Sequence, residues 1–502
     1  MKAIVALLVL VASFAACADV KLAMIGKKEI DLPQGFNGCG GITRIGGDDY
    51  WVLRDHESSG KSVIYPLTVK IDGEKISCEG SVESGIVLEG NTDSEGIVFD
   101  AATGGIWVSD EVGISIKEFM PVLAAKSVSP LREAPVPQIY RDGLLGGRGL
   151  EALGLSPDGL TMWTANEEAL TCDGERSSRS VAAVVRLTRF IRANAYDNWT
   201  VAGQWAYKCE KATESAVDSY EFCGVSGLCA LPDGSLLVLE RETSTKTCGR
   251  VQIYRLTANT FAAATDVSGI GALGEANYSV LSKGSALFEL TGGGVSLWDI
   301  VRALGGASID IIVYEGICLG PKLSDGSLSV LLVADGGEET TKSALGISVT
   351  ARTVSRLCAL KLSGVETESP SADGIPLDWF ARNGYTSTDP SKLASGARGS
   401  QYGYTVGDVY AAGLDPKSDE PLRITGISFG DGTVSLEFNA IRVAPGSTCH
   451  IEACRDLTEG FTEIMTGTNA FDEDRAAWRT TWHGSLPAGY DASGLFRIRI
   501  SK

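Results

Sequence analysis

A chain of 502 residues with 60 glycines is too long for one ordinary core and favours a turn-rich β protein over a helical one. Its formal charge of −19 argues against nucleic acid or anionic lipid as a partner and leaves cations as attractive ones. Beyond the first residues, no apolar run approaches the roughly 18–20 residues that a membrane helix needs.

The N-terminus carries Lys2, an apolar run Ala3–Ala16 and small residues at Ala16-Cys17-Ala18, the pattern of an export signal cut after Ala18. A lipobox ending at Cys17 is the rival, although Phe14 stands where Leu is usual. Both readings place the protein outside the cytoplasm, secreted or in the periplasm and cell envelope. Of twelve cysteines, eleven remain after Cys17, so an exported chain is expected to pair most of them and leave one over. Cys223/Cys229 and Cys449/Cys454 lack the close spacing of zinc ligands.

A hairpin unit then recurs. Gly40–Glu57, Ser94–Gly113, Gly146–Leu170, Val225–Thr243 and Tyr314–Gly337 each have a Gly or Glu-Gly near the start. Each continues through a short apolar strand, a Gly-containing turn and a second apolar strand, and ends on acidic residues. In the central copy the turn is Ser156-Pro157-Asp158-Gly159, where Pro fixes one φ and Gly is free to take a positive one. Apolar runs of four to six residues bounded by Gly and Asp exclude helices. Irregular spacing excludes a tandem solenoid and suits an all-β propeller with long inserts. With intervening strands at Ala182–Phe190 and Arg250–Leu256, six blades are expected, five and seven remaining open. Val20–Ile25 and Val354–Leu362 are expected to pair and close the ring, which removes exposed edges. Residues 365–420 are polar and Gly/Ser/Asp-rich, with a short helix expected at Leu377–Asn383. From Leu422 alternating strands return and predict a small C-terminal β-sandwich over 421–502.

Equivalent positions of successive blades converge on the propeller axis. The acidic strand ends Asp55, Asp110, Glu111, Glu167, Glu168, Glu240 and Asp335, and the strand heads Glu95, Glu151 and Glu315, are therefore expected to share one channel. Clustered carboxylates repel unless a cation or an arginine lies between them. Hard oxygens of this kind suit Ca²⁺, which accepts six to eight of them. Asp55, Glu95, Asp110, Glu151, Glu167, Glu315 and Asp335 are the expected metal ligands. Arg54, Arg148 and Arg241 lie at the same motif ends and offer forked donors to a phosphate or to the neighbouring carboxylates. Glu95, Asp110, Glu111, Glu151, Glu240 and Arg241 are the candidate catalytic groups. His56 is the only histidine before the C-terminal module, too few for a His-rich metal site. Gly224-Val225-Ser226-Gly227 stops short of a nucleophile elbow, and the Gly147-Arg148-Gly149 fingerprint is followed by a turn where a dinucleotide site needs a helix. Trp51, Trp107 and Trp163 fall inside second strands and are expected in the core.

Ser94–Gly113, Gly147–Leu170, Val184–Phe190, Leu236–Glu242, Val251–Ser268 and Tyr314–Gly337, in this order, resemble the family described as "esterase-like activity of phytase". That resemblance implies an exported bacterial β-propeller over residues 19–364 with phytase-type phosphoester hydrolysis. It carries over to Glu95, Asp110, Glu111, Glu151, Glu167, Glu240, Arg241 and Glu315. Two motifs depart from the family: Ala334-Asp335-Gly336-Gly337, where Asp-Asn is usual, and Val112-Gly113-Ile114, where a His-Gly-Pro-like run is usual. The tail resembles a degenerate calcium-binding linker (Asp373–Pro416) followed by a small β-sandwich (Ile424–Ile500), which implies attachment to the cell envelope or spacing. Two functions stand side by side: a Ca²⁺-assisted hydrolase of a phosphorylated small molecule, and a non-catalytic envelope propeller that binds a protein or glycan.

Overall fold

Short apolar strands that alternate with Gly-bearing turns must bury one or both faces against other strands, and here they do so as the blades of a propeller. The computed structural model describes residues 20–365 apart from 27–28, 56–59, 123–124, 214–221, 244–248, 292–306, 338 and 345–346. It also describes residues 409, 422–430, 433–439, 448–454, 462–463, 470–474, 479–485 and 495–501. The expected export signal, His56 and the helix at 377–383 lie outside the described residues. The chain divides into two compact units, Met1–Thr367 and Glu368–Lys502.

In the first unit each recurring hairpin supplies the two inner, antiparallel strands of one sheet. From the inside outward, blade 1 is Gly41–Gly46, Asp49–Arg54 and Val63–Asp72, with Lys75–Gly80 and Ile86–Leu88 beyond. Blade 2 is Ser94–Asp100, Gly105–Asp110, Ser115–Phe119 and Arg132–Glu133. Blade 3 is Leu150–Leu155, Thr161–Asn166, Val184–Ile191 and Thr200–Lys208. Blade 4 is Phe222–Ala230, Leu236–Thr243, Arg250–Leu256 and Phe288–Thr291. Blade 5 is Val313–Lys322, Leu328–Asp335, Arg356–Ser363 and finally Lys21–Met24. The central turn forms as expected: Gly159 has φ +70°, and Ser156 N–H donates to the Thr161 carbonyl at 2.8 Å.

Ring closure is also met. Lys21 pairs with Ser363 and Met24 with Leu360, so the N-terminal strand completes the last blade. The inner strands neighbour one another in blade order and return from blade 5 to blade 1. They lie so close that a β-carbon on Gly96 would stand 2.7 Å from the Leu153 nitrogen, and one on Gly316 would stand 2.9 Å from the Gly40 carbonyl. Glycine after the strand-head residue is thus what lets adjacent blades touch.

The described residues hold five blades, not the preferred six. The intervening strands expected at Ala182–Phe190 and Arg250–Leu256 form at Val184–Ile191 and Arg250–Leu256, as the third strands of blades 3 and 4. A separate three-stranded sheet of Ala307–Ile311, Ile347–Thr353 and Glu339–Ala344 uses up more of the intervening chain.

Apolar cores fill the spaces between neighbouring blades. Trp51, Ile97, Val108 and Phe119 pack between blades 1 and 2, Trp107, Leu153 and Phe190 between 2 and 3, and Trp163, Trp205 and Val238 between 3 and 4. Ile253 and Leu332 pack between blades 4 and 5, and Val52 and Leu331 between 5 and 1. The three tryptophans expected in the core are buried there. Burying one of the Val, Leu, Ile or Phe side chains of these cores is worth ~1.5–3 kcal/mol.

The second unit contains a four-stranded antiparallel sheet (Ile424–Gly430, Thr433–Phe438, Arg479–Ser485, Ala470–Asp474) and a three-stranded one (Thr462–Glu463, Thr448–Cys454, Leu495–Ser501). Phe429 of the first meets Phe496 of the second, ring centroids 6.0 Å apart. Among the described residues no helix is long and apolar enough to cross a membrane.

The expected disulfides do not appear among the described residues. Cys39, Cys78, Cys172, Cys209, Cys223, Cys229, Cys318 and Cys358 are free thiols, six of them buried. Buried thiols pack as small apolar groups, and burial pushes their pKa values up, Cys229 to about 12.

Candidate functional site

The site follows from strand register. In blades 2 to 5 the pairing of the two inner strands slips near the head of the first strand: between Ser94 and Ile97, Leu150 and Ala152, Val225 and Gly227, and Tyr314 and Gly316. A bulge of this kind leaves an unpaired residue and re-aims its side chain. The residues inside the slips are Glu95 with Gly96, then Glu151, Ser226 and Glu315, and Gly40 stands at the matching place before Gly41 in blade 1. A β-carbon on Gly40 would lie 2.6 Å from Glu95 Oε2 and 3.4 Å from Glu315 Oε2, so its missing side chain makes room for two carboxylates.

A second tier comes from the ends of the second strands. Leu53, Ala165, Leu239 and Val333 lie opposite Gly41, Ala152, Gly227 and Gly316, and Ser109 holds the corresponding place in blade 2, its Oγ accepting from Gly96 N–H at 2.9 Å. Because side chains alternate along a strand, the residues one and two further on face different surroundings. Two further on stand Asp55, Glu111, Glu167, Arg241 and Asp335. Only one further on stand Arg54, Asp110, Asn166, Glu240 and Ala334.

The channel tier is held together across blades. Arg241 Nη2 of blade 4 lies 3.3 Å from Glu151 Oε1 and 3.0 Å from Glu315 Oε1, and it also bonds Glu167 Oε1. The other oxygen of Glu167 accepts from Arg148 Nη1 at 2.5 Å. Phe222 lies beneath both guanidiniums, at 4.4 Å from Arg148 and 5.6 Å from Arg241. Gly149 N–H donates to Glu111 Oε1 at 3.2 Å.

Carboxylates also meet one another. Asp55, Asp93 and Glu95 each offer an oxygen within 4.8 Å of the others', and so do Glu95, Glu111 and Glu151. Burial, then Glu151, Glu111, Glu315 and Asp55, pushes Glu95 well above the usual carboxylate range. Burial, with Glu167 and Glu111, does the same to Glu151 against the opposing effect of Arg241. Glu111 is pushed up to about 9 by burial, Glu167 and Asp93, with Arg148 and Arg241 opposing. For Arg241 burial works against the charge, but Glu167, Glu315, Glu151 and Glu95 hold the guanidinium protonated.

Of the residues expected from sequence, the structure brings Asp55, Glu95, Glu111, Arg148, Glu151, Glu167, Arg241 and Glu315 into this network. Arg54 and Asp335 lie beside it: both, with Asp55, act on the buried Cys39 thiol, and a β-carbon on Gly38 would stand 2.7 Å from Asp55 Oδ1.

Asp110 and Glu240 are elsewhere. Asp110 accepts from Thr92 N–H at 2.9 Å and from Gly113 N–H, which fixes the turn after blade 2's second strand. Glu240 accepts from Tyr207 Oη at 2.5 Å, Lys283 Nζ at 2.5 Å and Glu210 N–H at 2.8 Å, inside the packing of blades 3 and 4. Glu168 likewise accepts from the N–H groups of Ala169 and Ser177, both at 2.9 Å. Two members were not anticipated. Asp93 sits two residues before Glu95, just outside the hairpin unit, and Phe222 opens its strand with no motif to mark it.

The donor set fits a hard dication: oxygens only, from short-range carboxylates, with Gly38 and Gly40 leaving the space that β-carbons would fill.

No curated protein matches the sequence significantly. Among solved structures, the catalytic domain of Coprinopsis cinerea GH62 α-L-arabinofuranosidase overlaps 68% of this chain and 97% of its own, at 10% identity and a TM-score of 0.33. The periplasmic gluconolactonase PpgL of Pseudomonas aeruginosa overlaps 67% of this chain and 98% of its own, at 9% identity and a TM-score of 0.29. At TM-scores this low the overlaps bear on neither fold nor activity. The family model described as "Esterase-like activity of phytase" matches residues 34–336, more than half of the chain and all five inner hairpins. The chain therefore belongs to this phytase-like family, as a five-bladed propeller in the residues described.

Proposed function

We propose that the first unit is an exported, cation-assisted hydrolase of phosphate esters. The observation that carries this reading is the division of the channel mouth. On the side of blades 1 and 2, Glu95 belongs to two groups of three converging carboxylates. On the side of blades 3 and 4, Arg148 and Arg241 share Glu167 and the face of Phe222.

Asp55, Asp93, Glu95 and Glu111 would hold the cation, Ca²⁺ by the family's precedent, with Glu151 at its border. When bound, the ion supplies positive charge to phosphate oxygens and lowers the pKa of a water. Arg148 is the guanidinium placed to meet a phosphate: its side chain is 28% exposed, against 13% for Arg241. Glu167 fixes its fork, Phe222 supports its plane, and Gly149 N–H orients Glu111. Arg54 and Asp335 border the same mouth from blades 1 and 5. Residues 1–18 support export, and the C-terminal strands would serve attachment to the cell envelope.

Phosphate release from phytate and p-nitrophenyl phosphate, with Ca²⁺ and with chelator, tests the reading. Turnover that needs Ca²⁺ and falls in Arg148→Met supports it. No turnover with Ca²⁺, or turnover indifferent to chelator, overturns it.

A further inference from the structure

We infer that Arg241 is a resident cation: its guanidinium stands where a metal ion would otherwise gather Glu151, Glu167 and Glu315, and it thereby limits how many ions the channel takes up. The inference rests on the reading above that the opposite half of the mouth holds a dication. An arginine that recognises one carboxylate commonly lays its planar fork along both oxygens. In Arg241 one nitrogen, Nη2, meets one oxygen from each of three carboxylates. Nη2 carries only two hydrogens, so charge, and not hydrogen-bond number alone, holds the third oxygen. Convergence of three carboxylate oxygens on one positive centre is how a hard metal ion is bound.

The placement has a second consequence. The three carboxylates come from blades 3 and 5, and Arg241 itself from blade 4. A permanent charge there keeps three blades joined whether or not an exchangeable ion is present. Phe222, from the same blade, stacks on the guanidinium and on that of Arg148. The carboxylates Asp55, Asp93 and Glu95 converge on the other side. In the channel so built, Glu151, Glu167 and Glu315 are gathered on the chain's own guanidinium, and the other group is the one offered to a dication.

The test is the number of calcium ions bound per chain, measured by elemental analysis after equilibrium dialysis at fixed free Ca²⁺, with thermal unfolding followed in parallel. Arg241→Met is expected to bind one more ion than wild type, to melt lower than wild type in chelator, and to recover with millimolar Ca²⁺. Arg241→Lys, which keeps the charge, is expected to bind the wild-type number. Equal stoichiometry in wild type and Arg241→Met overturns the inference. So does an Arg241→Met protein that stays unfolded at every Ca²⁺ concentration, because a dication then cannot take the guanidinium's place. The two proposals fail differently: wild type without bound ion beside Arg241→Met with one removes the hydrolase reading only, and wild type with bound ion but no gain in the variant removes this one only.

Discussion

Gly40 of blade 1 and Glu95 of blade 2 are so close that a β-carbon on the glycine would stand 2.6 Å from the carboxylate oxygen Oε2. Alanine at position 40 must therefore displace the Glu95 carboxylate from its present position. Gly40→Ala is expected to weaken Ca²⁺ binding at least about tenfold, equivalent to ~1.4 kcal/mol, with the β-sheet signal in circular dichroism unchanged. Titration calorimetry reads the affinity. Wild-type affinity in the variant would mean that Glu95 takes no part in holding the ion.

Glu240 adjoins Arg241 in sequence, yet its carboxylate is committed to Tyr207, Lys283 and a backbone N–H. Glu240→Gln keeps the shape and loses the charge that partners Lys283. Stability is expected to fall by ~1–3 kcal/mol in urea unfolding while the number of bound Ca²⁺ ions stays the same. A loss of ion binding without loss of stability would return Glu240 to the channel.

These adjacent pairs show what could and could not be read in the sequence. The five hairpins were legible because Gly-bounded apolar runs with Pro-Asp-Gly or related turns admit little else, and the pairing of residues 21–24 with 360–363 followed from the need to close an edge. The blade count was less so: Val184–Ile191 and Arg250–Leu256 read as strands but carry no mark of belonging to a third position or to a new blade. Within Asp110-Glu111 and Glu240-Arg241, composition points to both members. Only the register, set by bulges that one sequence does not advertise, sends the second of each pair to the axis. Phe222 was invisible because an aromatic at a strand head usually means core. Cysteine number and export point to pairing, whereas eight of the cysteines are free thiols, six of them buried, among the described residues.

Arg186 and Asp173 form an ion pair with both side chains fully buried, through bonds of 2.6 and 2.7 Å. The guanidinium also donates to the Ile270 carbonyl at 2.9 Å, and the Leu273 N–H donates to Asp173, so the pair anchors the segment after blade 4's third strand. Asp173→Ala strands a buried charge and is expected to cost ~3–5 kcal/mol. A loss below ~1 kcal/mol in urea unfolding would show that water or rearrangement replaces the carboxylate.

The cation-free protein should lose stability as the pH rises. Glu111 is pushed up to about 9, and Glu95 and Glu151 are pushed well above the usual range, by burial first and neighbouring carboxylates next. Groups whose folded pKa is raised stabilise the fold fully below the ordinary carboxylate pKa of about 4.3 and lose that contribution as pH climbs through the folded value. In chelator, the melting temperature is expected to decline from pH 5 towards pH 9, and saturating Ca²⁺ is expected to flatten the decline. A melting temperature that rises over that interval in chelator would contradict the account.

Glu95 is the one carboxylate common to both converging groups, so the central claim turns on it. Calorimetric titration of Ca²⁺ into Glu95→Gln, alongside wild type and with phosphate release from phytate measured on the same samples, addresses that claim most directly. Wild type is expected to bind Ca²⁺ and release phosphate, and the folded variant to lose both together. Binding and turnover undiminished in Glu95→Gln would contradict it.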